Sequence, residues 1–221
     1  ELWIKKALTS ENKILFDRSY RYIAITSGTG KMLGKHLPYS NEFIRATLKS
    51  SGSMIFKLAK MGISPFLFTK NVLTIGGSTS FSQNNHIIAT NSYRSDLTAG
   101  FMSGIGFKES PKWFSFVSKP RNEVHALTDW KKKMEIIVNE APSYNIGTLT
   151  GFPSYILPLL TSVISRYNLK SIHDIWPNFK LYIHSGVSIE HYRKGLDVCF
   201  GKHVDLFETY FATEGFFGHS I

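Results

Sequence analysis

The stretch YRYIAITSGTGKMLGK, Tyr20–Lys35, decides how the chain is read. Its first six residues, Tyr20–Ile25, are rich in β-branched and aromatic side chains and read as a strand. A turn of hydroxyls and glycines follows and closes on lysine. The Walker pattern requires four residues between its first Gly and the Gly-Lys pair, then Ser or Thr. Counting back from Gly34, that first Gly falls on Thr29, and His36 follows Lys35. The dinucleotide fingerprint requires two residues between its second and third glycines, whereas Gly30 and Gly34 are separated by three. What remains is a Ser/Thr-Gly-Thr loop. Thr26, Ser27 and Thr29 offer hydroxyl donors, Gly28 and Gly30 let backbone N–H groups approach, and Lys31 and Lys35 bring charge. Such a loop suits the mobile triphosphate of a transiently bound nucleotide; taken alone, it also reads as an ordinary polar turn after a strand.

Around this stretch the hydrophobic period switches repeatedly between strand and helix. PFLFT, NVLTIGG, KLYIH (Lys180 to His184) and VDLFETY (Val204 to Tyr210) read as further strands. A helix is expected from Asn41 to Met61, with Gly62 as its stop, and another from about Thr128 to Asn139. In the latter, Leu127, Trp130, Met134, Ile137 and Val138 fall at intervals of three, four, three and one, which makes one apolar face. A third helix starts at Pro153, with Pro158 either kinking it or marking its true beginning. Strands alternating with helices predict an α/β fold with largely parallel sheets flanked by helices.

The 221 residues are 43% hydrophobic and 14% aromatic, enough to bury a core. No apolar run approaches the roughly 20 residues of a membrane helix, and the longest, FPSYILPLLTSVIS, contains Pro158. The sequence starts at Glu1 with no amino-terminal signal pattern, which leaves an upstream targeting segment open. A single cysteine, Cys199, excludes an intramolecular disulfide, fits a reducing compartment and makes the cytoplasm the expected location. The formal net charge of +10 would attract a polyphosphate, a nucleic acid or an anionic membrane. Its distribution speaks for the first: basic residues are scattered, and the densest run, WKKKMEIIVNE, reads as a solvated helix face. Neither nucleic acid nor membrane is expected as a partner, and no repeat or long linker divides the chain.

At the far end, ETYFATEGFFG, Glu208–Gly218, places an aromatic residue, a small residue, Thr and Glu in succession. Together with TSGTGKMLGK-HLPYS, this resembles the nucleotide motifs of the adenylate-forming superfamily. The Glu-Gly-Phe-Phe-Gly ending is similar to the auxin-responsive (Gretchen Hagen) acyl-acid amido synthetases, especially their bacterial relatives. WPNFKLYIHSGVSIEHYR resembles the family's stretch around its adenine-contacting loop, GTLTGFPSYILPLL the start of its acyl-site helix, and GGSTSF with SDLTAG an upstream block. The matching segments keep their order from about Tyr22 to Gly218.

The resemblance implies an ATP-dependent, magnesium-dependent ligase. It would activate a small carboxylic acid as an acyl-adenylate and pass it to an amine, typically of an amino acid. Carried over by position, Ser27, Gly28 and Thr29 would hold the β and γ phosphates and Lys35 would add charge. Thr213 would approach the α-phosphate and Glu214 would hold magnesium. Tyr210 or Phe211, followed by the small Ala212, would pack on adenine, with Ser185, Gly186 and Val187 lining its pocket. Gly30, Lys31 and Met32 depart from the small residues usual in the loop, and His184 and Ser185 from a Gly-Gly pair. The resemblance also implies that residues 1–221 are an incomplete N-terminal adenylation domain, without the ribose-binding aspartate and the C-terminal lid. Thioester formation with coenzyme A, or a non-catalytic nucleotide-binding remnant, are the alternatives.

Other chemistry has weaker support. Glu214 alone also reads as a solvated carboxylate. His173, His184, His191 and His203 lack zinc-ligand spacing. Ser154 and Ser188 lack the frame of a hydrolase elbow. Phe101, Phe107, Trp113, Phe114 and Phe116 are expected in the core rather than in an acyl pocket.

Overall fold

The computed structural model describes residues 4, 6, 20–26, 35–80 and 97–220. Strands β1 (Tyr20–Ile25) and β2 (His36–Ser40) lead into helices α1 (Asn41–Gly52) and α2 (Met54–Lys60). A 3-10 turn (Pro65–Thr69) precedes β3 (Asn71–Thr74). Next come β4 (Thr98–Phe101), α3 (Met102–Lys108), α4 (Phe114–Val117), β5 (Ser118–Lys119), α5 (Asn122–His125) and α6 (Trp130–Glu140). The remainder runs β6 (Ile146–Thr150), α7 (Pro153–Tyr167), β7 (Leu181–His184), α8 (Glu190–Phe200), β8 (Asp205–Ala212) and β9 (Gly215–His219).

These elements form two compact units. The first comprises Glu1–Gly52, Gly77–Ser110 and Thr213–Gly215; the second comprises Ser53–Gly76, Pro111–Ala212 and Phe216–Ile221. The first holds a three-stranded sheet of order β2-β1-β4, with β1 antiparallel to β2 and parallel to β4. The second is built on a six-stranded sheet of order β5-β3-β6-β7-β8-β9, in which β5, β3, β6, β7 and β8 are parallel. Two residues, Thr213 and Glu214, link β8 to β9, a link short enough that β9 must run back along β8. The expected mixed, largely parallel α/β arrangement is thus present.

Both faces of the larger sheet are covered, as a parallel sheet requires. On one, Leu73, Leu149 and Tyr182 pack with Ile137, Leu159, Trp176 and Leu196 from the helices. On the other, Leu181, Ile183 and Phe207 meet Leu58, Ile63 and Leu67. Trp176 is fully buried and donates its indole N–H to the Ala141 carbonyl at 2.9 Å, so its polar atom is satisfied. Asp129 caps α6 by accepting from Lys132 N at 3.1 Å, which fixes the helix start at Trp130, two residues past the expected Thr128.

Four expectations change. PFLFT is not a strand but a 3-10 turn: Pro65 sits at its first position, where a missing N–H costs nothing, and Leu67 alone is buried. The helix expected over Asn41–Met61 breaks at Ser53, where Ser51 Oγ turns back to the Leu48 carbonyl at 3.0 Å and Gly52 adds a weak helix former. Gly62, with φ of 81°, does end the segment. Phe101, Trp113 and Phe116 are exposed rather than core: Phe101 ends the edge strand β4, and the single turn of α4 with its cap Trp113 has too little surface to bury its aromatics; Phe107 and Phe114 are half-buried. In the basic run of α6, Lys131 and Lys132 are solvated as expected, but Lys133 is only 3% exposed. Helix α7 begins at Pro153 and continues through the exposed Pro158, which settles the alternative left by the two prolines.

His125, also buried, closes α5 beside Lys133. Burial, reinforced by the Lys133 ammonium, pushes its imidazole down to about 4. The unfolded chain protonates near the ordinary value of about 6.5, so it binds more protons than the fold between these limits. His125 therefore stabilises fully above about pH 6.5, and about 3 kcal/mol is lost as pH falls toward 4. Urea unfolding across this window should show a shallower decline for His125→Gln than for the parent; identical slopes would contradict the assignment.

Candidate nucleotide and acid site

A parallel sheet delivers the C-terminal ends of its strands, and the loops that leave them, to one edge, where open α/β folds bind ligands. In the second unit that edge carries Ile75–Gly76 after β3, Gly151–Phe152 after β6, and Ser185–Gly186 after β7. Strand β8 overshoots: His184, the last residue of β7, pairs with Glu208, so Thr209–Ala212 extend past the edge. The overhang and the loop after β7 form the walls of a cleft of about 580 Å³. Gly186, Val187, Tyr210, Phe211 and Ala212 line it, with Ser188 and Gly218 among their neighbours. Two segments singled out in the sequence, more than twenty residues apart, are thereby brought together.

The loop after β7 has a particular shape. Gly186 has φ of 86°, and a Cβ there would sit 2.8 Å from the Phe152 ring, so both conformation and space call for glycine. Thr209 Oγ1 donates to the His184 carbonyl at 3.1 Å and ties the loop's start to β8. His184 itself is buried, and its Nδ1 has no hydrogen-bond partner among the described residues. Burial holds its imidazole below the ordinary value, against the opposing pull of Glu208. On the overhang, the Tyr210 and Phe217 rings lie 5.0 Å apart and both are exposed, while Phe211 is half-buried against Phe216. Ser185, half-buried, adjoins the cleft without lining it.

The first unit holds the other expected residues. Thr26 and Lys35 bracket the loop: Thr26 N donates to the Lys35 carbonyl at 3.0 Å and Lys35 N to Thr26 Oγ1 at 2.8 Å. Ser27, Gly28 and Thr29, with the departing Gly30, Lys31 and Met32, lie outside the described residues. Four residues beyond Lys35, Tyr39 of β2 donates its hydroxyl to the Thr213 carbonyl, its ring packed on Phe43 at 4.5 Å. Burial and the Glu214 carboxylate both hold the Tyr39 phenol well above its ordinary range. One short strand thus joins the end of the loop to the Thr213–Glu214 turn, with about 13 Å between the Cα atoms of Lys35 and Tyr39. Glu214 is exposed and makes no hydrogen bond or ion pair among the described residues. A single free carboxylate fits magnesium, which takes one or two carboxylates and completes its shell with phosphate oxygens and water. No cluster of three His, Cys, Asp or Glu that would suit another metal occurs among the described residues. His173 is held between the Phe200 and Phe179 carbonyls, and His203 pairs with Asp205 at 3.2 Å, both local structural roles.

Both units are mixed α/β, with sheets flanked by helices. Residues 1–205 match the GH3 family N-terminal domain, and the chain belongs to the GH3 family. The chain is similar to a solved structure described as AtGH3.15 acyl acid amido synthetase in complex with 2,4-DB, with a TM-score of 0.69 at 14% identity. The alignment covers 97% of this chain and 45% of that one. A second structure, GH3.15 acyl acid amido synthetase, has a TM-score of 0.66 at 15% identity over 99% of this chain and 45% of its own. The chain therefore spans less than half the length of these structures, and at such identities the likeness is one of fold. No curated protein matches it in sequence. Thr213 and Glu214 fall past the family-matched span, and among the described residues no helix is long and apolar enough to cross a membrane.

Gly186→Ala should destabilise the second unit by about 1–2 kcal/mol through backbone strain, with the Phe152 ring displaced. Chemical denaturation checks this; an unchanged midpoint would show that the loop does not need its left-handed glycine.

Proposed function

We propose that this chain is part of the N-terminal adenylation domain of an ATP-dependent ligase, one that activates a small carboxylic acid as an acyl-adenylate and transfers the acyl group to an amine, typically of an amino acid. The observation that carries this reading is the cleft in which Gly186 and Val187 face Tyr210, Phe211 and Ala212. Its size falls in the range of small-molecule sites, and its walls alternate flat aromatic surface with small residues, as a planar base requires. Family membership supports the same reading, and the length of the GH3.15 structures supports a longer whole protein.

In the first step a carboxylate oxygen attacks the α-phosphorus of ATP. The bond to the α,β-bridging oxygen breaks, and pyrophosphate leaves. Two anions must be aligned and their charge neutralised, which is work for positioned donors. Gly186 and Val187 would line the base with Ser185 next to them, and Tyr210 or Phe211 would pack on it beside Ala212. Ser27, Gly28 and Thr29 would hold the β and γ phosphates and Lys35 would add positive charge. Thr213 would approach the α-phosphate, and Glu214 would hold magnesium. Magnesium, when bound, offsets the charge that develops on the leaving pyrophosphate. In the second step the amine nitrogen attacks the acyl carbon, the carbon–oxygen bond to AMP breaks, and the amine gives up a proton. The small ligand chemistry and the absence of a basic recognition module leave nucleic acid and membrane without a role. Cytoplasmic location rests on the single, unpaired Cys199.

Acid-dependent exchange of labelled pyrophosphate into ATP, measured on the full-length protein with a panel of carboxylic acids, tests the first step. Exchange with at least one acid is expected, and Glu214→Gln should lower it on the order of 100-fold. No exchange across the panel would sink the reading. Acceptor assays with amino acids against coenzyme A separate amide from thioester formation, and amide is the expected product.

A further inference from the structure

The turn Thr213–Glu214, counted with Gly215 in the first unit, is gripped from both sides by residues of that unit. Glu214 is exposed and makes no hydrogen bond or ion pair among the described residues, so no contact of its own side chain fixes the carboxylate. The backbone around it must do so. On one side the Thr213 carbonyl accepts from the Tyr39 hydroxyl. On the other, Gly215 is buried with φ of 145°, and a Cβ there would lie 3.9 Å from the Phe43 ring.

The two gripping residues are themselves held. Tyr39 is 4% exposed and belongs to the cluster of Tyr22, Ala24, Ile44 and Ile105, against which Phe43 packs with its ring centre 4.5 Å from that of Tyr39. Antiparallel pairing of β1 and β2 sets Tyr39 opposite Tyr22. Ser40, also buried, accepts from Phe43 N at 3.1 Å across the start of α1 and so fixes where the helix leaves the strand. For packing alone a phenyl ring would serve at position 39. The hydroxyl adds one directed bond, which goes to the turn and not to the core, and the Glu214 carboxylate lies near enough to act on the phenol through space.

We propose that Tyr39 is a positioning residue: its hydroxyl, together with the Phe43 ring, pins the Thr213–Gly215 backbone so that the Glu214 carboxylate is presented to a divalent cation at a set place. This rests on the ligase reading for the role of Glu214, and it gives a task to a residue that the nucleotide motifs leave without one. Tyr39 acts through the backbone and not on the reacting atoms. A carboxylate on a loose two-residue turn must be ordered at each binding event, whereas one on a pinned turn is already in place.

Tyr39→Phe keeps the ring and removes the bond, and thermal unfolding confirms that it is folded. In the full-length protein without acid, its affinity for Mn²⁺·ATP, read by water-proton relaxation, should fall about tenfold, while its affinity for metal-free ATP stays as in the parent. In pyrophosphate exchange the KM for Mg²⁺·ATP should rise by the same factor and the acid KM should not move. Glu214→Gln should also weaken Mn²⁺·ATP, and adding Tyr39→Phe to it should cost little more, because both act through one carboxylate. Amide hydrogen exchange without ATP or metal should quicken about tenfold at Glu214 and Gly215 and stay unchanged at Tyr22–Ala24. Phe43→Leu, which withdraws the ring from Gly215, should move the same readouts in the same direction. Unaltered Mn²⁺·ATP affinity in folded Tyr39→Phe, or an additive loss in the double variant, would overturn the inference. A merely structural tyrosine would quicken exchange throughout the unit and leave the metal readouts untouched. Weaker Mn²⁺·ATP binding in Tyr39→Phe with no pyrophosphate exchange in the parent would defeat the ligase reading alone; parental exchange with an unshifted Mg²⁺·ATP KM in Tyr39→Phe would defeat this inference alone.

Discussion

Parallel pairing of β3, β6, β7 and β8 is the constraint on which the second unit depends. The register couples Leu73, Leu149 and Tyr182 across one face and Thr74, Thr150, Ile183 and Phe207 across the other. Each return crossing must therefore be a helix or a long loop, and each strand must release its chain at the same edge. Gly76, Gly151 and Gly186 all fall at that edge. The two of them with positive φ, Gly151 and Gly186, lie against Ile75 and Phe152, so the edge is tightly folded backbone and not open loop. Hydroxyl and aromatic groups are carried there by strands whose interior is apolar, which is how one layer of packing holds a polar site in place.

A second consequence concerns the turn Thr213–Glu214. Strand β8 belongs to the large sheet, but the turn at its end is counted with the first unit, where Tyr39 holds the Thr213 carbonyl. The same β2 that places Tyr39 begins directly after Lys35. Residues at positions 35, 39, 213 and 214 are in this way tied by one strand and one hydrogen bond, although nearly 180 positions of sequence lie between the two pairs. The buried phenol of Tyr39, kept protonated by its surroundings, is a donor that does not switch off in the physiological range.

Much of this could be read from the residues, for physical reasons that differ by element. Tyr20–Ile25, Leu181–His184 and Asp205–Ala212 carry strong β-formers with clear stops, and the apolar spacing in α6 and the two prolines of α7 mark those helices. PFLFT misled because aromatic and β-branched composition is shared by strands and buried turns, and only the position of Pro65 separates them. The break at Ser53 had a signal in Ser50-Ser51-Gly52-Ser53, a run of weak helix formers. Strands β4 and β6 are short and contain glycine, which hid them. The aromatic side of the site was visible as motif, in Tyr210 and Gly186. The burial of Lys133 was not, since a lysine in a basic run looks solvated until the fold turns its amine toward Gly76 and His125. Trp130 was recognised as one member of an apolar face, and only its contact with Tyr155 shows that part of it is left uncovered.

In the proposed first step a carboxylate oxygen of the acid becomes bonded to the α-phosphorus of ATP. Labelling the acid's carboxylate with ¹⁸O and analysing the AMP formed by the full-length protein, with acid, ATP and amine acceptor all present, tests this most directly. One ¹⁸O in the phosphate of each AMP is the predicted result, because the bridging oxygen leaves with AMP when the amine attacks the acyl carbon. Unlabelled AMP, or ¹⁸O found in inorganic phosphate, would contradict it.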